Sequence, residues 1–262
     1  MVFQSYNFKR AFFNSNNENF MEKKHIIKNI LDEGDKKAVF VHEMFDNIAS
    51  DYDRMNEIIS LGGNIKLKKR IIKTVPIKKG MKILDLCTGT GDLAILISER
   101  LNKEVCITGV DFSQKMLEIA RNKAKNYENI DFIQADVLEL PFEENSFEAC
   151  FIGYGLRNLK DLRKGLLEIK RLLKPGGYFV NLDLGKAGGL SGQLIKLYMN
   201  KIVPLFGKYI HGDSLPYQYL PCSNEKFPSQ TELVKLLKEL GFNNIMNTDF
   251  MFGSIASQRA QK

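Results

Sequence analysis

The sequence has no tryptophan and only three histidines and four cysteines among its 262 residues. The cysteines are Cys87, Cys106, Cys150 and Cys222; they show no paired spacing, and three of them stand in apolar, strand-like segments. This pattern argues against a disulfide framework and against a metal centre. It predicts buried, reduced thiols in a cytoplasmic protein and no bound metal.

Long apolar runs are also missing. The longest, such as Met81–Cys87, have the length of a strand, whereas a membrane-spanning helix needs about 20 apolar residues. Residues 1–20 are rich in Phe and Asn and lack the continuous apolar core and small-residue cleavage site of a secretory signal. We predict a partly disordered tail over residues 1–37 and a single domain over residues 38–262, since no Pro/Gly/Ser linker divides the chain.

Positive charge is in excess. The formal net charge is +7, and much of the excess lies in Lys66–Lys79. The simplest interpretation is the solvated face of a helix, and attraction to anionic lipid or to RNA is the alternative. The sequence has no strip of interleaved aromatic and basic residues, so we expect no nucleic-acid partner.

Short runs rich in Val, Ile, Leu and Phe alternate with segments of helical periodicity. Continuous apolar strands separated by helices indicate βαβ units and a parallel sheet covered on both faces. With two further strands near the C-terminus, the predicted fold class is α/β, a doubly wound, mostly parallel sheet of seven strands. The predicted strands cover residues 81–87, 104–111, 130–136, 147–153, 178–184, 244–250 and 252–258. Ligands of such sheets collect at the carboxyl ends of the strands.

A glycine-rich loop, in the segment KILDLCTGTGDLA, joins the first strand to the next helix. Gly89, Gly91 and Ala94 match the G-x-G-x-x-G/A fingerprint of dinucleotide sites, and the same segment resembles the first motif of S-adenosylmethionine-dependent methyltransferases. In both cases the glycines allow a tight turn, and the helix that follows directs free N–H groups into the site. The glycines alone therefore leave the cofactor undecided.

The charge beside this loop favours S-adenosylmethionine. Asp92 begins the helix that would hold the phosphates of a dinucleotide, and Asp85 ends the strand before the loop, so both carboxylates would repel a pyrophosphate. S-adenosylmethionine carries a sulfonium and an ammonium group, which carboxylates stabilise. We predict S-adenosyl-L-methionine as the cofactor, with Asp85, Gly89 and Gly91 in its site; a nicotinamide oxidoreductase is the disfavoured alternative.

Acidic residues at the ends of the next two strands complete a nucleoside site. Asp111 stands at the tip of the second strand, where a carboxylate can accept hydrogen bonds from ribose hydroxyls. Asp136 and Val137 follow the third strand, where the carboxylate can accept from the adenine amine and the valine can cover the ring. The alternative for Asp136 is a cap on the turn that follows.

Five segments together carry a resemblance that covers residues 38–260: VHEMFDNIASDYDRMNEIISLG, LDLCTGTGDLA, ADVLELPFEENSFE, GYGLRNLKD and RLLKPGG. They resemble the ubiquinone/menaquinone biosynthesis C-methyltransferases, and GLRN is the most family-specific element. The resemblance implies a class I methyltransferase of Rossmann-like fold with an N-terminal helical lid over residues 38–75. It also implies methylation of a ring carbon of a polyprenylated quinol, demethylmenaquinol rather than a ubiquinone precursor.

The resemblance also assigns cofactor contacts position by position. The implied contacts are Tyr52 of the lid, Thr90, Asp111, Phe112, Asp136, Val137 and Gly153. The sequence departs from the family pattern at Gly153, where Ser is frequent, at Tyr154, where Phe is frequent, and at Asp183–Ala187, where DLGKA replaces EFSKP. These departures lie on the substrate side and therefore bear on the acceptor more than on the cofactor.

Two residues of the GLRN motif are the predicted catalytic residues. Methylation of an aromatic carbon needs an electron-rich ring and an in-line methyl donor. We expect Arg157 to stabilise a phenolate of the substrate and Asn158 to orient it by hydrogen bonding. The alternative is that Arg157 pairs with Asp161 or Asp46 and holds its loop. The isolated histidines, which we expect to be structural, are His42 and His211.

An insert over residues 185–228 interrupts the last crossover and is predicted to roof the substrate site. Its apolar segment LIKLYMNKIVPLFGKYI could contact an isoprenoid tail, and the lysines of residues 66–79 could hold the protein against the inner membrane surface. A homodimer is left open. Competing functions are methylation of another small-molecule, lipid or RNA acceptor, and a cofactor-binding scaffold without turnover.

Overall fold

A computed structural model of the chain describes residues 20–205 and 215–262. Its seven-stranded sheet has the order β3-β2-β1-β4-β5-β7-β6, in which β7 is antiparallel to both neighbours and all other pairs are parallel. This confirms the predicted doubly wound, mostly parallel sheet. The strands are β1 (Lys82–Leu86), β2 (Cys106–Asp111), β3 (Ile130–Gln134), β4 (Phe147–Gly153), β5 (Leu173–Leu184), β6 (Asn243–Phe250) and β7 (Ile255–Gln261).

Helices cover both faces of the sheet because the parallel strands are apolar on both faces. In β1, for example, Ile83 and Leu84 are both fully buried but belong to separate cores on opposite sides of the sheet. The helices are α1 (Phe20–Asp32), α2 (Gly34–Ile48), α3 (Tyr52–Ile59), α4 (Asn64–Ile72), α5 (Asp92–Arg100), α6 (Gln114–Lys123), α7 (Leu162–Leu172), α8 (Gly189–Leu197), α9 (Leu215–Lys226) and α10 (Gln230–Glu239).

Local capping signals set several helix boundaries where the sequence predicts them. Ser113 accepts a hydrogen bond from the Met116 N–H at the start of α6, and Ser229 forms a capping box with Glu232 at the start of α10. Helix α7 ends at Leu172, but β5 begins at the next residue rather than at residue 178. The early part of β5 is irregular, since its register against β4 shifts between Phe147 and Ala149.

The helical N-terminal part begins earlier than predicted. Helix α1 starts at Phe20 and α2 at Gly34, so residues 20–37 belong to packed helices rather than to the expected tail. Ile27 of α1 is fully buried in a cluster that includes Phe40 and Tyr219, which lies in α9. These tertiary contacts explain the difference, because short helices are marginal without packing. Residues 1–19 of the predicted tail lie outside the described part.

The cysteines differ from expectation in part. Cys150 and Cys222 are buried free thiols, but Cys87 is half-buried and Cys106 is exposed. Cys106 opens β2 and points to solvent because it stands at the amino end of its strand. None of the helices in the described parts of the chain combines the length and the apolar character that crossing a bilayer requires.

Candidate active site

A narrow cleft lies where the strand order reverses, at the carboxyl ends of β1 and β4. Doubly wound sheets bind ligands at this switch point because the connections from the two strands leave toward opposite faces. The cleft has a volume of about 20 Å³. It is lined by Phe45, Tyr52, Cys87, Gly89, Asp111, Phe112, Met116, Gly153, Tyr154, Gly155 and Asn158.

The glycine loop after β1 adopts the tight turn that its sequence predicts. Gly89 and Gly91 have positive φ angles of 57° and 82°, and Gly91 is the N-cap of α5. A Cβ atom on Gly91 would also lie only 3.1 Å from Ala120 Cβ and from Phe132 Cζ. Gly91 is therefore required by both its conformation and its close packing, whereas Gly89 faces the cleft.

Asp85 holds the glycine loop from inside the protein. Its side chain is buried, and its Oδ2 accepts hydrogen bonds from Thr88 Oγ1 at 2.6 Å and from the Ala94 N–H at 3.1 Å. Burial raises the pKa of Asp85 to about 7, although these hydrogen bonds oppose the shift. Asp85 is not among the residues that line the cleft, so the structure places it behind the loop rather than in the predicted cofactor contact.

Asp92 and Thr90 also face away from the cleft. Asp92 forms ion pairs with Lys68, at 3.0 Å, and with Lys123. Although burial acts in the opposite direction, the two lysines hold the pKa of Asp92 below its ordinary value. Thr90 Oγ1 donates to Asp53 Oδ1 at 2.5 Å. The carboxylates of Asp85 and Asp92, which we expected to stabilise the positive charge of the cofactor, therefore do not line the cleft.

Asp111 supplies the acidic group of the cleft instead. Its Oδ2 accepts from the Gly89 N–H at 2.8 Å and its Oδ1 from the Ser113 N–H at 2.9 Å. Burial raises the pKa of Asp111 to about 6, against the effect of these backbone hydrogen bonds. No lysine or arginine in the described part of the chain lines the cleft. A carboxylate with no lysine or arginine beside it in the lining suits a cationic cofactor and is unfavourable for a pyrophosphate.

Phe112 and Gly153, two of the predicted cofactor contacts, line the cleft, whereas Asp136 and Val137 do not. Asp136 is exposed, and its Oδ1 accepts from the Leu138 N–H at 2.9 Å, which is the turn cap considered as the alternative. Val137 is buried in one of the two cores beside the sheet. Both follow β3, one strand further out than Asp111.

A larger chamber lies on the other side of three aromatic side chains. Its volume is about 190 Å³, and its lining is mostly apolar and aromatic. Phe45, Tyr52 and Tyr154 line both the cleft and the chamber and therefore form the partition between them. The lid contributes Met44, Ile48, Met55 and Ile59, and the insert contributes Ile195, Tyr198, Met199, Tyr217, Tyr219 and Leu220.

Arg157 is the single charged residue among the described residues that line the chamber. Its Nη1 donates to Asp183 Oδ1 and to the Tyr154 carbonyl, both at 2.6 Å. The partner is thus Asp183 and not Asp161 or Asp46, the pairs considered from the sequence. The Arg157 Nε atom is buried without a hydrogen-bond partner among the described residues.

Asn158 lies beside Arg157 in the GLRN turn and lines the cleft. Its Oδ1 accepts from the Tyr219 hydroxyl at 2.8 Å, and its Nδ2 donates to the Tyr154 carbonyl. Tyr219 comes from α9, so the insert is tied directly to the motif. The structure therefore brings the two predicted catalytic residues to the border between the cleft and the chamber.

Three site features escaped the sequence-based prediction. Asp183 is the penultimate residue of β5, and its only sequence signal was the departure DLGKA from the family pattern. Tyr154 has a left-handed φ of 61°, and Cys87 has a φ of 51°, both unusual for residues other than glycine. At Gly155, which follows Tyr154, a Cβ atom would be 2.4 Å from Cys87 Cβ.

No histidine in the described part of the chain lines the chamber. His42 lies within α2, and its ring centroid is 5.3 Å from that of Phe112. His211 lies outside the described residues. The described residues also contain no group of three His, Cys, Asp or Glu side chains placed to hold a metal ion.

Sequence comparison places this geometry in a family. The sequence profile of the ubiE/COQ5 methyltransferase family matches residues 31–262. The demethylmenaquinone methyltransferases of Staphylococcus aureus strains JH9 and Newman are each 39% identical to this chain over 223 residues, which is 85% of this chain and 92% of theirs.

Structural comparison shows the fold. A SAM-dependent methyltransferase from Aquifex aeolicus matches with a TM-score of 0.59 and 17% identity, over 80% of this chain and 97% of that one. Phosphoethanolamine N-methyltransferase 2 from Haemonchus contortus, in complex with S-adenosyl-L-methionine, matches with a TM-score of 0.60 and 20% identity, over 79% of this chain and 56% of that one. The chain therefore belongs to the ubiE/COQ5 methyltransferase family and is an S-adenosyl-L-methionine-dependent methyltransferase.

Proposed function

We propose that the protein methylates a ring carbon of a polyprenylated hydroquinone, with demethylmenaquinol as the substrate and menaquinol as the product. One observation carries the proposal: an apolar, aromatic-lined chamber adjoins the cofactor cleft and contains Arg157 as its charged group. An apolar ring with hydroxyl groups matches such a lining. The similarity to demethylmenaquinone methyltransferases supports the same substrate.

Arg157 is the proposed catalytic residue. S-adenosyl-L-methionine supplies an electrophilic methyl group, and a hydroquinone carbon becomes a better nucleophile as the neighbouring hydroxyl ionises. A guanidinium group in a water-poor chamber would stabilise the resulting phenolate. The Arg157 Nε–H fits this role because a buried donor without a partner costs about 1–3 kcal/mol, which a substrate oxygen would recover.

Asp183 and Asn158 are proposed to position this arginine and the ring. The buried Asp183 carboxylate accepts hydrogen bonds from the Arg157 guanidinium and, at 3.1 Å, from the backbone N–H of Arg157. The pair therefore fixes the direction of the guanidinium. Asn158, held by Tyr219, presents an amide at the border with the cleft.

The cofactor is proposed to lie in the cleft against the glycine loop. Asp111 would accept from the ribose hydroxyls, Gly89 and Gly153 would allow close approach, and Phe112 would supply an apolar surface. Tyr52 would close the site from the lid. Thr90, Asp136 and Val137 stay predictions, and Asp85 acts through the loop that it holds.

The lid must move for the cofactor to enter. A single water molecule occupies about 10–15 Å³ of such a cavity, so a cleft of about 20 Å³ is far too small for a nucleoside. Phe45 and Tyr52 come from the N-terminal helices and close the cleft from above. We propose that these helices open for cofactor exchange and close to exclude water during transfer.

The test is methyl transfer from S-adenosyl-L-methionine to reduced quinols with short, water-soluble tails, followed by mass spectrometry. We expect methylation of a demethylmenaquinol analogue and slower methylation of a benzoquinol analogue, which represents the ubiquinone precursor. A preference for the benzoquinol would move the assignment to that alternative. Methylation of neither quinol would refute the proposed acceptor class.

Cellular quinones provide a second measurement. Cells that lack the protein should accumulate the demethyl species and recover the methylated quinone when the wild-type chain is restored. The Arg157→Lys variant should fail to restore it, whereas Arg163→Lys should succeed, because Arg163 is an exposed residue whose guanidinium lies 3.7 Å from Glu239. An unchanged quinone profile without the protein would count against the proposal.

A further inference from the structure

Large apolar side chains are exposed around the opening of the chamber. Phe252 is 82% exposed and Leu61 is 80% exposed, and each is adjacent in sequence to a chamber-lining residue, Met251 and Ser60 respectively. Leu194 and Leu197 are likewise exposed and adjacent to the lining residues Ile195 and Tyr198. The apolar surface of the chamber therefore continues onto the outside of the protein. We call this surface the mouth face; its residues are Leu61, Leu190, Leu194, Leu197, Leu205 and Phe252.

Half of the mouth-face residues lie on one stripe of α8. Leu190, Leu194 and Leu197 recur at helical spacing, and none of the residues of α8 is buried. The stripe is thus apolar on its outer side as well as toward the chamber. Such an arrangement is unfavourable in water unless another apolar phase covers it.

The charge around the mouth face is positive. Residues 58–84, 184–205 and 250–262, which include all six mouth-face residues, contain no Asp or Glu. Lys196 and Lys201 are exposed on the same helical segment. The Arg70 guanidinium lies 5.0 Å from the Phe250 ring, which connects the basic helix α4 to the Met251–Gly253 turn. Two carboxylates approach the edge of the face: Glu57 lies near Gly62, and the exposed Asp249 is bridged to the Gly253 carbonyl by the Gln230 amide.

Either a second copy of the chain or a lipid bilayer could cover an apolar face, and the positive charge distinguishes between them. A second copy of the chain would bring the same lysines close to each other, with carboxylates only at the edge of the face. A bilayer with anionic headgroups would take up the leucines and attract the lysines at the same time. The observations therefore favour a lipid surface.

The size of the chamber also favours a lipid surface at the mouth face. An apolar cavity of about 150 Å³ accepts one benzene molecule, so about 190 Å³ accommodates a ring system and little more. A polyprenyl tail must then leave through the mouth, and it passes the exposed leucines on its way. This step rests on the proposed quinol substrate, whereas the exposure and the charge do not.

We propose that the mouth face docks on the surface of an anionic bilayer and opens the chamber toward the membrane. The ring of the substrate enters the chamber while its tail stays in the lipid. The site thereby selects acceptors that are anchored in a membrane, although no segment of the protein needs to cross it.

The absence of tryptophan provides a direct test. We would place a sole tryptophan with Phe252→Trp and, as the matched control, with Leu167→Trp, an exposed position on α7. Vesicles of phosphatidylcholine with about 30% phosphatidylglycerol, which gives them an anionic surface, should shift the emission of Phe252→Trp to the blue and leave the control unchanged. No shift in Phe252→Trp, or an equal shift in both, would overturn the proposal.

Flotation measures the contribution of the whole face. The variant Leu194→Ser/Leu197→Ser/Phe252→Ser should bind the same vesicles at least about tenfold more weakly than wild type. The control Val39→Ser/Leu167→Ser/Met246→Ser changes three similarly exposed apolar residues elsewhere and should bind as wild type. Equal binding by the two triple variants would refute the assignment. The proposal is also wrong if the wild type does not bind the vesicles and light scattering shows that it is a dimer, whereas the mouth-face variant is a monomer. The mouth face would then join two copies of the chain.

Activity separates this inference from the proposed function. The mouth-face variant should methylate a short-tail quinol at the wild-type rate but lose at least about tenfold in rate on a long-tail quinol embedded in vesicles. Equal rates on the embedded quinol would contradict membrane docking. Failure of wild type to methylate the short-tail quinol would contradict the proposed function alone, since the vesicle measurements do not involve catalysis.

Discussion

The pKa of Asp85 leads to a quantitative prediction about stability. A pKa of about 7 in the folded protein, against an ordinary 3.8, corresponds to about 4 kcal/mol that the ionised form costs the fold. Between these two values the folded state binds more protons than the unfolded state. The free energy of unfolding of the wild type therefore falls as pH rises through this window, and the full cost is present above about pH 7.

The substitution Asp85→Asn removes this dependence. Asparagine has the shape of the protonated acid and keeps an oxygen that can accept from Thr88 and Ala94. We expect the variant to match wild type near pH 4 and to become more stable than wild type by about 4 kcal/mol at pH 8. Asp111, with a pKa of about 6, is present in both proteins, so the prediction concerns the difference between them.

Urea denaturation at about four pH values between about pH 5 and about pH 8 gives the difference between the two proteins. Asp131→Asn is the matched control, since Asp131 is an exposed carboxylate in β3. A difference between Asp85→Asn and wild type that stays constant across this range would refute the reasoning. Calorimetry adds a functional check: loss of S-adenosyl-L-methionine binding in Asp85→Asn would restore the direct cofactor role predicted from the sequence.

Three further predictions follow from the site. Asp111→Ala should weaken S-adenosyl-L-methionine binding about 100-fold in calorimetry, because two charge-assisted hydrogen bonds to the cofactor are lost. Arg157→Lys should keep the affinity for S-adenosyl-L-methionine and lower kcat about 100-fold. An equal loss of affinity in both variants would contradict the two roles. Gly155→Ala should lower the free energy of unfolding by about 1–3 kcal/mol through its overlap with Cys87, and adding Cys87→Gly should restore it; a failure of this rescue would refute the overlap as the cause. Burial and the neighbouring Arg157 lower the pKa of Lys37 to about 8. The unfolded state therefore binds more protons than the folded state between about pH 8 and pH 10.5, and the urea midpoint of the wild type should rise across this range. Lys37→Met should remove the rise, and an identical rise in the variant would exclude Lys37 as its source.

Local patterns were sufficient for most elements of the fold. The apolar runs of β1 and β4 predict buried parallel strands because each residue of such a strand must face one of two covered surfaces. Ser113 and Ser229 mark helix starts because a side-chain oxygen can satisfy a free N–H of the first turn. In these cases the determining contacts lie within a few residues, so the sequence is enough.

Long-range pairing decided the roles of the charged residues. Arg157 and Asp183 are 26 residues apart, and they meet because β4 and β5 are parallel neighbours whose carboxyl ends coincide, with Gly153 opposite Leu182. The same geometry separates two aspartates that look equivalent in the sequence. Asp111 faces the cleft, whereas Asp85 turns inward to the loop.

The sequence by itself therefore determined the doubly wound sheet, the glycine turn and the family of the enzyme, because these depend on local periodicity, backbone conformation and contiguous motifs. The tertiary structure decided which carboxylate borders the cofactor, which acid holds Arg157 and which side of α8 faces solvent. The apolar residues of α8 could pack inward or outward with equal local propensity. Only the chamber and the elements packed around it leave Leu194 and Leu197 at the surface.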